Sequence, residues 1–129
     1  MTLTITIPGL PPRECSPNSR VHYMAKARAA RIYRNCVRMW AFSAGVSQLT
    51  GHWGPLLKAR IDVTFIVPDK RRRDKTNFAS AFKAGLDGLV DAGVIVDDSH
   101  EHIDDQYHIV YEKGKSMTIV EIERGAEAQ

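Results

Sequence analysis

Aromatic residues make up only 8% of this 129-residue chain, and cysteine is scarcer still, represented by Cys15 and Cys36 alone. Two cysteines without metal-ligand spacing give neither a disulfide framework nor a zinc site, so a reduced, intracellular chain is expected. Long apolar runs are missing too. Thr2 to Thr6 alternates polar with apolar residues, which predicts neither a signal peptide nor a membrane span, and places the chain in the cytoplasm. No G-x-x-x-x-G-K-[ST] or G-x-G-x-x-G loop occurs, and Ser, His and Asp show no hydrolase arrangement, so nucleotide hydrolysis and redox chemistry are set aside. Strong charge of one sign is also lacking: the formal charge of +3 permits a nucleic-acid partner without requiring one, and the decision rests on whether the basic groups cluster.

What is present fits one domain over residues 1–124, with 125–129 read as a disordered tail. Thr2 to Ile7, Lys58 to Val67, Ile103 to Tyr111 and Ser116 to Glu123 read as strands from period-two alternation or β-branched content. The Lys113, Gly114, Lys115 turn predicts that the last two form an antiparallel hairpin. Two helices are expected, Tyr23 to Gln48 and Thr76 to Asp91. Strands beside helices without strict alternation indicate an α+β fold with a small mixed sheet.

Each helix has two faces. In the first, Ala29, Ile32, Tyr33, Cys36, Met39 and Trp40 share an arc that reads as core, while Arg28, Arg31, Arg34 and Arg38 share another. No acidic residue lies between Arg28 and Arg38, so these arginines read either as a phosphate-tracking surface or as a solvated face. Asn18, Arg20 and His22 lie in the loop before that helix, from which they could reach a backbone or a base. In the second helix Phe78, Phe82, Leu86 and Leu89 face the core, leaving Thr76, Ser80, Lys83 and Asp87 on a polar stripe. Lys83 and Asp87 are at i,i+4 and form an ion pair on the bland reading.

The densest chemistry lies between Pro68 and Asp98, in PDKRRRDKTNFASAFKAGLDGLVDAGVIVDD. Arg71, Arg72 and Arg73 suit a polyanion, and Asp74, Asp97 and Asp98 are hard oxygen ligands suited to magnesium, which binds through one or two carboxylates plus substrate phosphates. A solvated loop with capping carboxylates is the alternative. His100, Glu101 and His102, followed by Asp104 and Asp105, lack a third placed ligand and read as surface residues.

In this order of motifs the sequence resembles the RusA family of Holliday junction resolvases: Pro68-Asp69, RRRD (Arg71 to Asp74), Asn77, KAGLDGL (Lys83 to Leu89), AGV (Ala92 to Val94) and DDS (Asp97 to Ser99). The opening Leu10-Pro11-Pro12 with Asn18 and Arg20 looks like the same family's proline-rich loop. The resemblance implies a homodimeric, magnesium-dependent endodeoxyribonuclease cutting four-way or branched DNA, with manganese able to substitute for magnesium. It implies catalytic roles for Asp74, Asp98 and Lys83 and metal ligation by Asp74, Asp98, Asp97 and Thr76. The DNA grip would come from Arg71, Arg72, Arg73, Lys75, Asn77, Arg20, Arg28, Arg31 and Arg34.

Two departures stand out. Thr76 replaces the second carboxylate of the family's D-x-D-N, and five residues separate Asn77 from Lys83, as if an extra helical turn were inserted. A threonine hydroxyl can ligate magnesium, but Thr76 or Asn77 is equally a preferred helix cap. Asp87 ranks as a fourth ligand. If the substitution defeats metal binding, a junction-binding dimer that does not cut is the alternative function; an RNA-binding domain is a third reading, without an RNP-type strand motif behind it.

Overall fold

The computed structural model describes residues 2–51 and 54–125. Strand β1 (Thr2–Pro8) buries Leu3, Ile5 and Ile7 and exposes the threonines between them, as its alternation requires. β2 (Ala59–Val67), β3 (Ile103–Tyr111) and β4 (Met117–Arg124) complete one four-stranded sheet in the order β1-β4-β2-β3. β4 runs antiparallel to both its neighbours, whereas β2 and β3 are parallel, with Ala59 opposite Ile103 and Val67 opposite Tyr111. The fold is α+β. Of the tail, Gly125 donates its N–H to the Lys58 carbonyl at 2.9 Å, and 126–129 lie outside the described residues.

The expected hairpin does not form. The chain does turn at Gly114, at φ +76°, but β4 passes β3's neighbour and inserts between β2 and β1. The reason is burial. β2 ends in Phe65, Ile66 and Val67, all buried, and belongs in the sheet interior, while Asp104, Gln106 and His108 on β3 are exposed and tolerate an edge. The connection crosses the end of β2, with the Glu112 N–H donating to the Val67 carbonyl at 3.0 Å and the Gly114 N–H to Pro68 at 3.1 Å.

The helices form a single layer over the sheet face that carries Ile5, Val63, Phe65 and Val120. On the other face Thr4, Arg60 and Glu121 are exposed. Helix α1 (Tyr23–Ala44) starts at His22, whose Nδ1 accepts from the Met24 N–H, and stops at Gly45 in the left-handed region (φ +92°). A short α2 (Val46–Thr50) follows, so the helix expected through Gln48 is broken at this glycine.

The core face of α1 coincides only in part with the expected arc: Tyr33 is buried and Ala29 and Cys36 are half-buried, but the face is rotated away from the rest. Tyr33, Val37 and Ala41 are buried, while Ile32 and Met39 are 62% and 58% exposed and Trp40 is 39% exposed. Close approach selects this face. A Cβ on Gly88 of the facing helix would lie 2.4 Å from the Arg34 carbonyl oxygen and 3.1 Å from the Val37 Cβ, so glycine at this position is what lets the two backbones meet.

The second helical segment is also two pieces. α3 (Lys75–Ala81) and α4 (Lys83–Asp91) break at Phe82, whose ring is fully buried, and this break takes up the residues between Asn77 and Lys83. Phe82, Leu86 and Leu89 are buried and Phe78 is half-buried, as their spacing predicts.

Gly88→Ala tests the helix contact. On an open helix this change stabilises by about 1 kcal/mol; here it is expected to destabilise by about 1–3 kcal/mol in chemical denaturation, the cost of overpacking a core.

Candidate functional site

The loop leaving β2 is organised by one carboxylate. Asp69 accepts from the Arg71 N–H at 3.0 Å and pairs with Arg73 Nη1 at 2.9 Å, and that nitrogen also donates to the Asp69 and Arg71 carbonyls. Hydrogen bonds from the Arg73 side chain and the Arg71 backbone hold the Asp69 carboxyl below its ordinary range. The three arginines therefore differ. Arg73, with 12% of its side chain exposed, secures the loop; Arg71 is 76% exposed and only 3.9 Å from Asp69; Arg72 is exposed and has no ion pair among the described residues.

Asp74 then starts α3, its Oδ1 accepting from the Thr76 N–H at 2.9 Å. The cap is thus Asp74, not Thr76 or Asn77, because the preceding extended residue is the one whose side chain can reach back to the free N–H groups. Thr76 is exposed on the first turn. Arg71 to Asp74 and Asn77 share a cavity of about 380 Å³ with Leu10, Pro11 and Arg13, so the proline-rich opening and the basic run meet in space. Arg13 was not among the sequence-derived DNA contacts, although it directly follows Leu10-Pro11-Pro12.

Lys83 and Asp98 also meet. The Lys83 ammonium donates to Asp98 Oδ2 and, at 2.8 Å, to Asp87 Oδ1, so the i,i+4 pair and the long-range contact coexist. Partial burial works against charge on Lys83, but the two carboxylates outweigh it and raise its pKa; the Lys83 hydrogen bond in turn lowers that of Asp98, against partial burial. Asp98 is only 17% exposed in its side chain, Asp97 is exposed, and the Tyr107 hydroxyl donates to Asp105 Oδ2 at 2.7 Å. Burial first, then the carboxylates of Asp105 and Asp98, push the Tyr107 hydroxyl upward.

For magnesium the donor set is a partial fit. Asp87 and Asp98 already converge on one cationic nitrogen, and two carboxylates suffice when phosphates complete the shell. Asp74, Asp97 and Asp98 do not close into a cage: no three His, Cys, Asp or Glu side chains are grouped to hold a metal among the described residues. Asp74 and Asp98 share no hydrogen-bond partner there either. His100, His102 and Asp104 line a separate cavity of about 540 Å³ beside Arg60 and Glu123.

The α1 arginines divide in the same way. Arg34 makes a bidentate pair with Asp91 of α4 at 2.6 and 2.8 Å, and Arg38 donates to Asn35. Their partners are not acids four residues away along the helix. Arg28 and Arg31, like Arg20 and Lys75, are exposed and without an ion pair among the described residues.

The Lys83–Asp98 pair has a pH signature. Because the Asp98 pKa is lowered on folding, the pair stabilises the fold above the ordinary carboxylate pKa, and this contribution is lost as pH falls through the lower folded value. Lys83→Met should move the Asp98 titration upward in carboxyl NMR and flatten the acid limb of the stability curve. An unmoved titration would show that the contact does not persist in solution.

No family model matches the chain. A protein of Xylella fastidiosa (strain Temecula1 / ATCC 700964), described only as uncharacterized, is 31% identical over 109 residues, which span 80% of this chain and 67% of the relative. The chain belongs to the same family as that Xylella protein.

Proposed function

We propose that this protein is a magnesium-dependent, structure-selective endodeoxyribonuclease of the RusA type, hydrolysing phosphodiesters in four-way or branched DNA as a homodimer. The observation that carries this reading is the contact between Lys83 and Asp98. The sequence resemblance nominates both residues, they lie 15 positions apart, and the fold joins them through a helix start and a loop. The meeting of Leu10 and Pro11 with Arg71–Asp74 in one cavity supports the same reading.

When bound, magnesium supplies Lewis acidity that polarises the phosphate and lowers the pKa of a water. Asp98, with Asp87 or Asp97, is the donor set that would hold it, and Asp74 has Oδ2 to offer, since only Oδ1 is taken by the helix cap. Lys83 acts as a fixed positive charge and not as a base: its raised pKa keeps it protonated at neutral pH, ready to stabilise charge growing on the phosphoryl oxygens. Arg71 and Arg72 hold the DNA backbone, while Arg73 fixes the loop that presents them. Two opposed cuts on a two-fold symmetric junction require two sites related by the same symmetry, which is the argument for a dimer.

A second reading, a junction-binding dimer that does not cut, is favoured by two observations: Thr76 brings no charge, and three carboxylates do not converge among the described residues. Cleavage of a synthetic four-way junction with and without magnesium separates the two. Magnesium-dependent cutting is expected, abolished by Asp98→Asn with junction binding retained, and reduced roughly a hundredfold or more by Lys83→Gln. Tight binding without cutting selects the second reading, and cutting confined to linear duplex excludes both.

The unequal arginines give a separate test. Arg72→Ala is expected to weaken duplex binding and to lower the slope of log K against log salt by about 0.9, one phosphate contact. Arg73→Ala should instead lower the melting temperature, because it removes the hydrogen bonds that close the loop. Equal effects on both measures would show that the two side chains are not differentiated in solution.

A further inference from the structure

We infer that the cavity between the proline-rich opening and α3 is a subsite for a single unpaired nucleotide of a DNA strand, with the base against Phe78 and its phosphate between Arg13 and Arg72. The inference rests on the DNA reading for the kind of ligand, and on the cavity itself for the rest.

The cavity, at about 380 Å³, is within the size range of small-ligand sites, roughly 300–1,000 Å³. Its lining is divided chemically. Leu10, Pro11 and Phe78 give an apolar side, and the arginines give a cationic one. A phosphate alone has no use for the first, and an apolar ligand has no use for the second. A nucleotide carries both.

The aromatic geometry narrows the choice. Phe78 lies over Phe65 at 5.0 Å between centroids and 21°, and Phe65 is parallel to Tyr107 at 6.2 Å and 5°. Phe65 is buried, whereas Phe78 is half-buried and is the ring of this column that lines the cavity. A ring held from behind by a second ring is a preorganised platform for a base, and a base offers its flat face only when it is out of the duplex stack.

Polar groups fit the same occupant. Arg73 is consumed by Asp69, which leaves Arg13 and Arg72, neither with an ion pair among the described residues, to take the phosphate. The Asn77 side-chain amide lines the cavity and makes no hydrogen bond among the described residues. An amide both donates and accepts, which matches a base edge.

The test is binding in EDTA, where no cleavage contributes, by fluorescence anisotropy with a short oligothymidylate and an abasic deoxyribose-phosphate oligomer of equal length. The parent protein should bind the base-bearing strand roughly 5- to 150-fold more tightly, the range of one base–aromatic stack. Phe78→Leu should erase that preference and Phe78→Tyr should keep it, while Arg13→Gln with Arg72→Gln should weaken both strands alike. Equal affinity of the parent for the two strands overturns the proposal and needs no variant to fold. A preference unchanged in Phe78→Leu, or competition by dTMP as effective as by the oligothymidylate, also overturns it. Junction cutting enters none of these measurements: a failed nuclease with an intact base preference, or the reverse, tells the two proposals apart.

Discussion

Parallel pairing between β2 and β3 is the constraint on which the rest of this structure depends. A tight turn cannot join parallel neighbours, so the chain must leave the sheet at Pro68 and cross back over it before Ile103. That excursion holds every residue of the central motif: the basic loop, Asp74, Lys83, Asp97 and Asp98. The same pairing gives β2 neighbours on both sides, explains its apolar sequence, and obliges β4 to enter between β2 and β1. The helices packed over Phe65 and Val63 are thus a consequence of strand direction as much as of their own amphipathicity.

Electrostatics in this molecule is decided by partners distant in sequence. Arg34 finds Asp91, Lys83 finds Asp98, and Arg73 turns back on its own loop. After these pairings, basic groups without an ion pair among the described residues include Arg13 and Arg72 beside the cavity, Lys75 at the start of α3, and Arg20, Arg28 and Arg31 before and along α1. Arg72 is presented by a loop that the Arg73–Asp69 pair holds.

The strands were legible because alternation is a local property, and each begins and ends within a residue or so of its expected bounds. The hairpin was not, since the Gly114 turn reports that the chain reverses and not which strand lies beside it afterwards. On α1 composition pointed to Ile32 and Met39, yet packing chose Val37 and Ala41, because helix contact depends on closeness as well as on apolar character. Within the site, the Lys83–Asp87 pair was readable from its i,i+4 spacing; the contact of Lys83 with Asp98, the cap at Asp74 and the inward Arg73 required the fold of the chain, which no periodicity encodes.

The joint at Phe82 separates two jobs that a continuous helix would tie together. Lys83 begins α4, which is anchored against α1 through Gly88, so its aim toward Asp98 is fixed by the helix it opens and not by the length of what precedes it. α3, seven residues long and too short to hold itself without packing, is seated by Phe78 and Ala81. A shift of α3, or of the loop before it, is therefore not transmitted along a continuous helix to Lys83. The joint lets the arginine loop change its aim while the charged pair that follows it stays in place.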